Sequence, residues 1–89
     1  MIKVKLSEPD PTILAFDGEI LECFFVGGSK RFHISHIKGF QLEPNNKGKY
    51  LLTIKLLYDP VLLWADEAGV AKVKALIAEV QTAIAAYNL

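Results

Sequence analysis

The spacing of hydrophobic residues changes once along the chain, and this change most constrains the possible fold. Up to Trp64, apolar and polar residues alternate in short runs, which is the period of a β-strand with one buried face. After Asp66, apolar residues recur at alternating spacings of three and four, which is the period of an amphipathic helix. The sequence therefore predicts a mainly β domain that ends in a single C-terminal α-helix.

Seven short strands are predicted, because turn-forming residues interrupt the alternation at close intervals. The predicted strands span residues 2–6, 12–16, 19–26, 30–34, 39–43, 49–57 and 61–64. Asp17-Gly18 predicts a two-residue hairpin turn in which both residues have positive φ. The segment at residues 35–37 predicts a corner or a single helical turn.

The predicted helix spans residues 66–87, with Asp66 as its N-cap and Glu67 near the positive end of the helix dipole. One apolar stripe of this helix is expected to pack on the inward faces of the strands. The stripe is assigned to Val70, Val73, Ile77, Val80, Ile84 and Tyr87, and its expected strand partners include Phe40, Leu52, Ile54 and Leu63. Trp64 and Tyr87 are large side chains near the junction of sheet and helix, and both are expected to pack in the core, because the helix must cover the open end of the sandwich.

Length, charge and cysteine content exclude several classes of protein. The chain has 89 residues, which is the size of one domain, and 10 basic residues balance 10 acidic ones. A neutral chain lacks the basic surface of a nucleic-acid binder. The longest uncharged apolar run, residues 60–65, is too short to cross a bilayer. With one cysteine and a strand pattern directly after Met1, we expect a cytoplasmic protein without disulfides.

One stretch of the chain resembles a known family. The residues Lys30-Arg-Phe-His-Ile-Ser-His-Ile-Lys-Gly-Phe-Gln-Leu-Glu-Pro44 read as a strand, an isoleucine-containing corner and another alternating strand. With the seven strands and the final helix, this pattern resembles the short bacterial pleckstrin-homology-like (PH-like) domains. The resemblance covers nearly all of residues 1–89 and implies a single PH-like domain, a seven-stranded antiparallel sandwich or partly open barrel capped by one C-terminal helix. Such scaffolds host lipid, peptide and protein recognition, so the resemblance implies a fold more than a function.

The loop that matches the phosphoinositide-binding loop of PH domains is acidic in this chain. It reads Ser7-Glu-Pro-Asp-Pro11, whereas lipid-binding members carry several Lys and Arg there. Two carboxylates would repel a phosphate headgroup, so classical phosphoinositide binding is not expected.

Residues that could carry catalysis or bind a metal are few. His33 and His36 are spaced H-x-x-H, but a third ligand would have to come from Cys23, Glu22 or Glu43, and no spacing requires it. A role for the two histidines beyond structure stays open. Cys23 lies in the middle of a predicted strand, where a free cysteine is usually a small core residue. We therefore expect no enzyme activity, no cofactor and no metal site.

The leading functional expectation is a non-catalytic module that recognises a protein or peptide partner. The alternative is a self-assembling structural subunit, since the predicted helix presents a small, nearly neutral outer face and a homodimer would cover it. A more distant alternative is binding of an anionic ligand or membrane surface by the densest basic group. The expected interaction surface consists of Ala71, Ala75, Ala78 and Ala85 on the helix and of Lys30, Arg31 and Lys38.

Overall fold

The computed structural model describes residues 2–6, 11–45 and 47–88. Its strands are β1 (Ile2–Leu6), β2 (Thr12–Phe16), β3 (Ile20–Phe25), β4 (Gly28–His33), β5 (Ile37–Pro44), β6 (Tyr50–Leu56) and β7 (Val61–Ala65). A short 3₁₀ helix, Ile34–His36, separates β4 from β5, and the helix α1 spans Glu67–Tyr87. The predicted order of seven strands and one C-terminal helix is confirmed, and most strand bounds differ from the prediction by one or two residues.

The strands form two antiparallel sheets. β1, β2, β3 and β4 pair in sequence order in the first sheet, and β5, β6 and β7 do so in the second. No strand of one sheet pairs with a strand of the other among the described residues, so the sheets do not close into a barrel.

Both sheets and the helix contribute to one hydrophobic core. Period-2 alternation places one face of each sheet inward, as in β1, where Val4 and Leu6 are buried and Lys5 is exposed. The side chains with at most 2% exposure come from β1, β2, β3, β6, β7 and α1: Val4, Leu14, Phe16, Leu21, Cys23, Leu52, Ile54, Ala65, Val73, Leu76 and Val80. Folding of either sheet therefore depends on the apolar face of the other.

Helix α1 begins where the sequence predicts. Asp66 is the N-cap, and its carboxylate accepts a hydrogen bond from the Gly69 N–H at 2.8 Å. Gly69 is buried, and a Cβ there would lie 3.3 Å from the Leu6 side chain. The absence of a side chain at this position lets the first turn of α1 approach β1 closely.

The buried stripe of α1 is rotated from the predicted one. Val73 and Val80 are fully buried as expected, but the residue between them is Leu76, which the predicted stripe omits. Ile77 and Ile84 only border the core, and Tyr87 is 56% exposed. Both stripes obey the spacing of three and four, so periodicity alone does not choose between them. The helix contacts β1, the 3₁₀ turn, β7 and β5, and this set of neighbours decides which stripe is buried.

Two local predictions are wrong. Trp64 is 37% exposed rather than in the core, because it lies between the buried Leu63 and Ala65 and so points to the outer face of the second sheet. In the turn after β2 only Gly18 has positive φ, and no non-glycine residue of the described chain does. The Asp17 carboxylate closes that turn by accepting hydrogen bonds from the N–H groups of Glu19 and Ile20.

Candidate functional site

A groove runs between strand β5 and helix α1. It has a volume of about 310 Å³ and is lined by Phe40 and Leu42 of the strand and by Lys74, Ile77, Ala78 and Gln81 of the helix. β5 is an edge strand of the second sheet, so one side of its backbone has no neighbouring strand. The β5–α1 groove therefore combines apolar side chains with an available strand edge.

The local sequence places these side chains on the groove walls. Phe40 and Leu42 are two residues apart on β5 and share one face of the strand, where both are half-buried. On the helix, residues 74, 77, 78 and 81 have the spacing of neighbours on one helical face. The apolar side chains of both walls pack against the buried core, so the apolar surface of the groove is continuous with that core.

The groove carries little charge. Lys74 is the single ionisable side chain among the described residues that line it, and Gln81 adds a neutral polar group. Gln41 and Glu43 alternate with the lining residues of β5, and the Gln41 amide donates a hydrogen bond to the Glu43 carboxylate on the other face. The groove thus presents apolar walls and one positive charge at its helical rim.

A second cleft lies on the other side of α1. Its volume is about 430 Å³, and it is lined by Phe16, Gly18, Ala78, Glu79, Thr82, Ala83 and Ala86. Ala78 lines both clefts, so the small side chains of the helix form a low ridge between two depressions. This cleft adjoins a hairpin turn rather than a free strand edge, so it offers less to an extended segment.

The four alanines expected at an interaction surface, Ala71, Ala75, Ala78 and Ala85, are all exposed. Of these, only Ala78 lines the groove. Phe40 was expected to pack under the helix, but neither Phe40 nor Leu42 was among the predicted site residues, because the sequence does not show that the helix leaves them partly accessible.

The expected basic group is dispersed. Lys30 and Arg31 are consecutive on β4 and point to opposite faces, and Lys38 lies in the other sheet. Arg31 also forms an ion pair with Glu22 of β3, with 3.4 Å between Arg31 Nε and the carboxylate. The three side chains do not share one face, so they do not form a single anion-binding patch.

His33 has a structural role that the sequence did not reveal. Its Nδ1 accepts a hydrogen bond from the Ser35 N–H at 3.0 Å and so caps the 3₁₀ turn. Its Nε2 donates to the Glu19 carboxylate at 2.9 Å, and its ring lies edge-on to the ring of Tyr87 at a centroid distance of 5.3 Å. His36 is exposed. No group of three or more metal-ligating side chains occurs in the described part of the chain.

Cys23 is the most strongly perturbed ionisable group. It is fully buried on the inner face of β3, which confirms the prediction of a small core residue. Burial raises the pKa of its thiol to about 12, so the reactive thiolate is absent near neutral pH.

The outer face of the second sheet exposes large apolar side chains near β7. Leu62 is 57% exposed and Trp64 is 37% exposed, and Leu51 of β6 lies directly opposite Trp64. Sequence reasoning missed this surface, although the alternation within β7 already assigns Leu62 and Trp64 to the face opposite Leu63.

No helix in the described part of the chain is both long enough and apolar enough to cross a lipid bilayer. Comparisons with protein family models, with curated proteins and with solved structures find no match to this chain.

Proposed function

We propose that the chain is a non-catalytic interaction module that binds an extended segment of a partner protein in the β5–α1 groove. The observation that carries this proposal is the position of an apolar groove directly beside a free strand edge. An edge strand offers unpaired N–H and C=O groups, and an added strand can satisfy them.

The spacing of the groove residues favours an extended ligand. Phe40 and Leu42 repeat every two residues, and so do the side chains of a strand that pairs with β5. Alternate side chains of the bound segment would lie against these residues and against Ile77 of the helix. Backbone pairing would supply affinity, and the fit of the apolar side chains would supply specificity.

The charge of the groove favours a segment with an acidic residue. Lys74 is the only ionisable side chain on its walls in the described chain, and a carboxylate beside it would pair with the ammonium group. Rim charges of this kind change association rate and partner choice more than total affinity.

A PH-like architecture is part of the proposal. The support is a four-stranded antiparallel sheet, then a three-stranded one, then a single C-terminal helix, all sharing one core. The loop at residues 7–11, on which the expectation against phosphoinositide binding depends, lies outside the described residues except for Pro11.

The absence of catalysis is also proposed rather than tested. In support, the Cys23 thiol is buried with a raised pKa, which removes the one candidate nucleophilic thiol. The hydrogen bonds of His33 to Ser35 and Glu19 already engage both of its ring nitrogens.

Selection of a random peptide library on the immobilised chain tests the proposed function. Enriched peptides should alternate apolar residues and carry an Asp or Glu. A synthetic enriched peptide should shift the backbone NMR signals of Phe40, Leu42 and Ile77. The proposal fails if nothing enriches, or if the shifts fall elsewhere on the molecule.

The helix offers two matched pairs of variants for this experiment. Lys74→Glu and Lys72→Glu make the same charge change on exposed lysines of α1, but only Lys74 lines the groove. Ala78→Arg and Ala71→Arg compare two exposed alanines in the same way. Ala78→Arg places a large charged side chain in the groove and should weaken peptide binding about tenfold or more. Lys74→Glu reverses the rim charge and should mainly slow association and disfavour acidic peptides. Equal losses at 72 and 71 would contradict the site.

A second candidate function is a self-assembling structural subunit. The exposed Leu62 and Trp64 favour it, because contiguous apolar surface usually marks an interface. Light scattering tests this second function, since it measures the mass of the chain in solution. A chain that stays monomeric overturns self-assembly, whereas a dimer is compatible with peptide binding in the groove as well.

A further inference from the structure

The four strand edges of the molecule differ in how they are protected. β1 carries Lys3 and Lys5, and β4 carries Lys30 and Arg31. β5 has a bulge only at its start, between Ile37 and Gly39, and its regular part borders the groove in which we propose that a partner strand binds. Charges, bulges and covering elements are the usual protection of edges against pairing with another chain.

β7 has neither a charge nor a bulge, although its neighbours include α1. Its five residues, Val61-Leu-Leu-Trp-Ala65, contain no charge and no proline, and its register with β6 is regular over the whole strand. It is an edge strand, and no strand pairs with its outer edge in the described part of the chain. An uncharged, regular and apolar edge is the kind that pairs with another strand.

We infer that β7 joins two copies of this chain by antiparallel pairing with β7 of a second copy. The inference goes beyond peptide binding in the β5–α1 groove, because it uses the other edge of the same sheet. The two three-stranded sheets become one six-stranded sheet across a two-fold axis.

The strand matches itself under two-fold symmetry. With the axis at Leu63, Leu62 lies opposite Trp64 of the second copy, and Val61 lies opposite Ala65. Leu62 and Trp64 are on the exposed face, so the pairing forms two equivalent contacts between Leu62 of one copy and Trp64 of the other. Cross-strand pairs of aromatic and aliphatic side chains stabilise antiparallel sheets.

Within the strand, charge does not oppose pairing with a second copy. No ionisable side chain within β7 faces another across the axis, whereas self-pairing of β1 would bring lysines together. With the axis at Leu63, Asp59 lies opposite Glu67 of the second copy, so like charges meet at both ends of the paired strands. Their repulsion is screened by salt, so the dimer should tighten as ionic strength rises.

The test uses the full chain and its own fluorophore. Trp64 is the only tryptophan, so its emission reports on the β7 surface alone. Light scattering across the micromolar range should give the mass of a dimer that dissociates on dilution. Trp64 emission should move to longer wavelength over the same concentration range.

Two sets of variants separate the β7 surface from the helix surface. Leu62→Lys adds a charge to the exposed edge and should raise the dissociation constant about tenfold or more. Ile13→Lys makes a comparable change on the outer face of β2, and Ala78→Glu with Ala85→Glu alters the outer face of α1. Both of these controls should remain dimeric.

A parent chain that is monomeric at high micromolar concentration overturns the inference that β7 joins two copies. So does a dimer that the helix changes dissociate while Leu62→Lys does not, or one whose dissociation leaves Trp64 emission unchanged. If Leu62→Lys fails to fold, the mass and the Trp64 emission of the parent chain on dilution still test the inference. Peptide binding is measured separately, so its failure leaves the β7 result intact.

Discussion

The inner faces of the two sheets are alike, and their outer faces are not. On the outer face of the first sheet, lysines of β1 and the Glu22–Arg31 pair surround the apolar residues Ile13 and Phe24. On the outer face of the second sheet, the side nearest β7 is uncharged and exposes Leu62 and Trp64. The first sheet therefore has a mixed outer face, whereas the second is apolar near β7 and carries Glu43 and Lys55 on the rest of its outer face.

This difference shows where the high apolar content of the chain is placed. Apolar residues make up 52% of the sequence, more than a small core needs. Part of the excess lies in the groove and on the outer face near β7, which are both surfaces of the second sheet. Another part is exposed in and beside the first sheet, as Ile13, Phe24 and Val26. The first sheet mainly completes the core, and the second also carries the surfaces that are available to partners.

The largest expected effect tests whether the inner faces act as one core. Leu14→Ala in the first sheet and Leu52→Ala in the second remove fully buried side chains. Each should cost about 2–5 kcal/mol of unfolding free energy. Urea unfolding followed by far-UV circular dichroism and by Trp64 fluorescence should give coincident single transitions in both variants. Separate transitions would mean that the sheets fold independently.

A smaller effect should distinguish the two outer faces. Ile13 lies on the internal strand β2 and is 37% exposed, whereas Leu62 lies on an edge and is 57% exposed. Ile13→Lys should cost about 1–2 kcal/mol of stability, because more apolar area returns to water. Leu62→Lys should change the stability of the monomer by less than about 0.5 kcal/mol. Thermal unfolding at low concentration measures both, and the reverse order would contradict the comparison.

The ion pair on the outer face of the first sheet should contribute less still. Arg31 is 71% exposed, so solvent screens its attraction to Glu22. Glu22→Gln should cost no more than about 1 kcal/mol, and the loss should shrink at high salt. A cost of several kcal/mol that is insensitive to salt would show that the pair is buried.

The smallest expected effect depends on pH. Hydrogen bonds from the N–H groups of Ile20 and Glu19 lower the pKa of Asp17. The stabilisation is therefore present above the ordinary carboxyl pKa and is lost as pH falls through the lower folded value. Asp17→Ala should lower the melting temperature slightly at neutral pH and not at strongly acidic pH. Asp59→Ala is the control, since Asp59 accepts no hydrogen bond from the described residues, and it should show no such trend.

Local features were predictable from the sequence. Alternation gave the seven strands, Asp66 gave the start of the helix, and mid-strand placement gave the burial of Cys23. Each of these depends on residues that are neighbours in the chain.

Features that depend on how distant elements meet were not predictable. Leu76 rather than Ile77 is fully buried because of how α1 packs on its neighbours, which include β1. The spacing of apolar residues along the helix does not specify these contacts. Packing of the helix stripe on Phe40 was predicted, but the groove was not, because the sequence does not show that Phe40 and Ile77 stay half-buried where they meet. The wrong prediction for Trp64 has another cause. Its position between two inward residues, Leu63 and Ala65, already assigns it to the outer face of β7.

Because Cys23 is buried, the rate at which its thiol is modified can report on local opening of the structure. The chain has one thiol, and near neutral pH an alkylating reagent can modify it only when β3 separates from its neighbours. The rate of modification then measures the free energy of that opening, as amide exchange does for backbone groups. As pH rises above the ordinary thiol pKa, the open form ionises while the closed form, with a pKa of about 12, does not. Alkaline solution should therefore favour the open form and increase the rate at which Cys23 is alkylated.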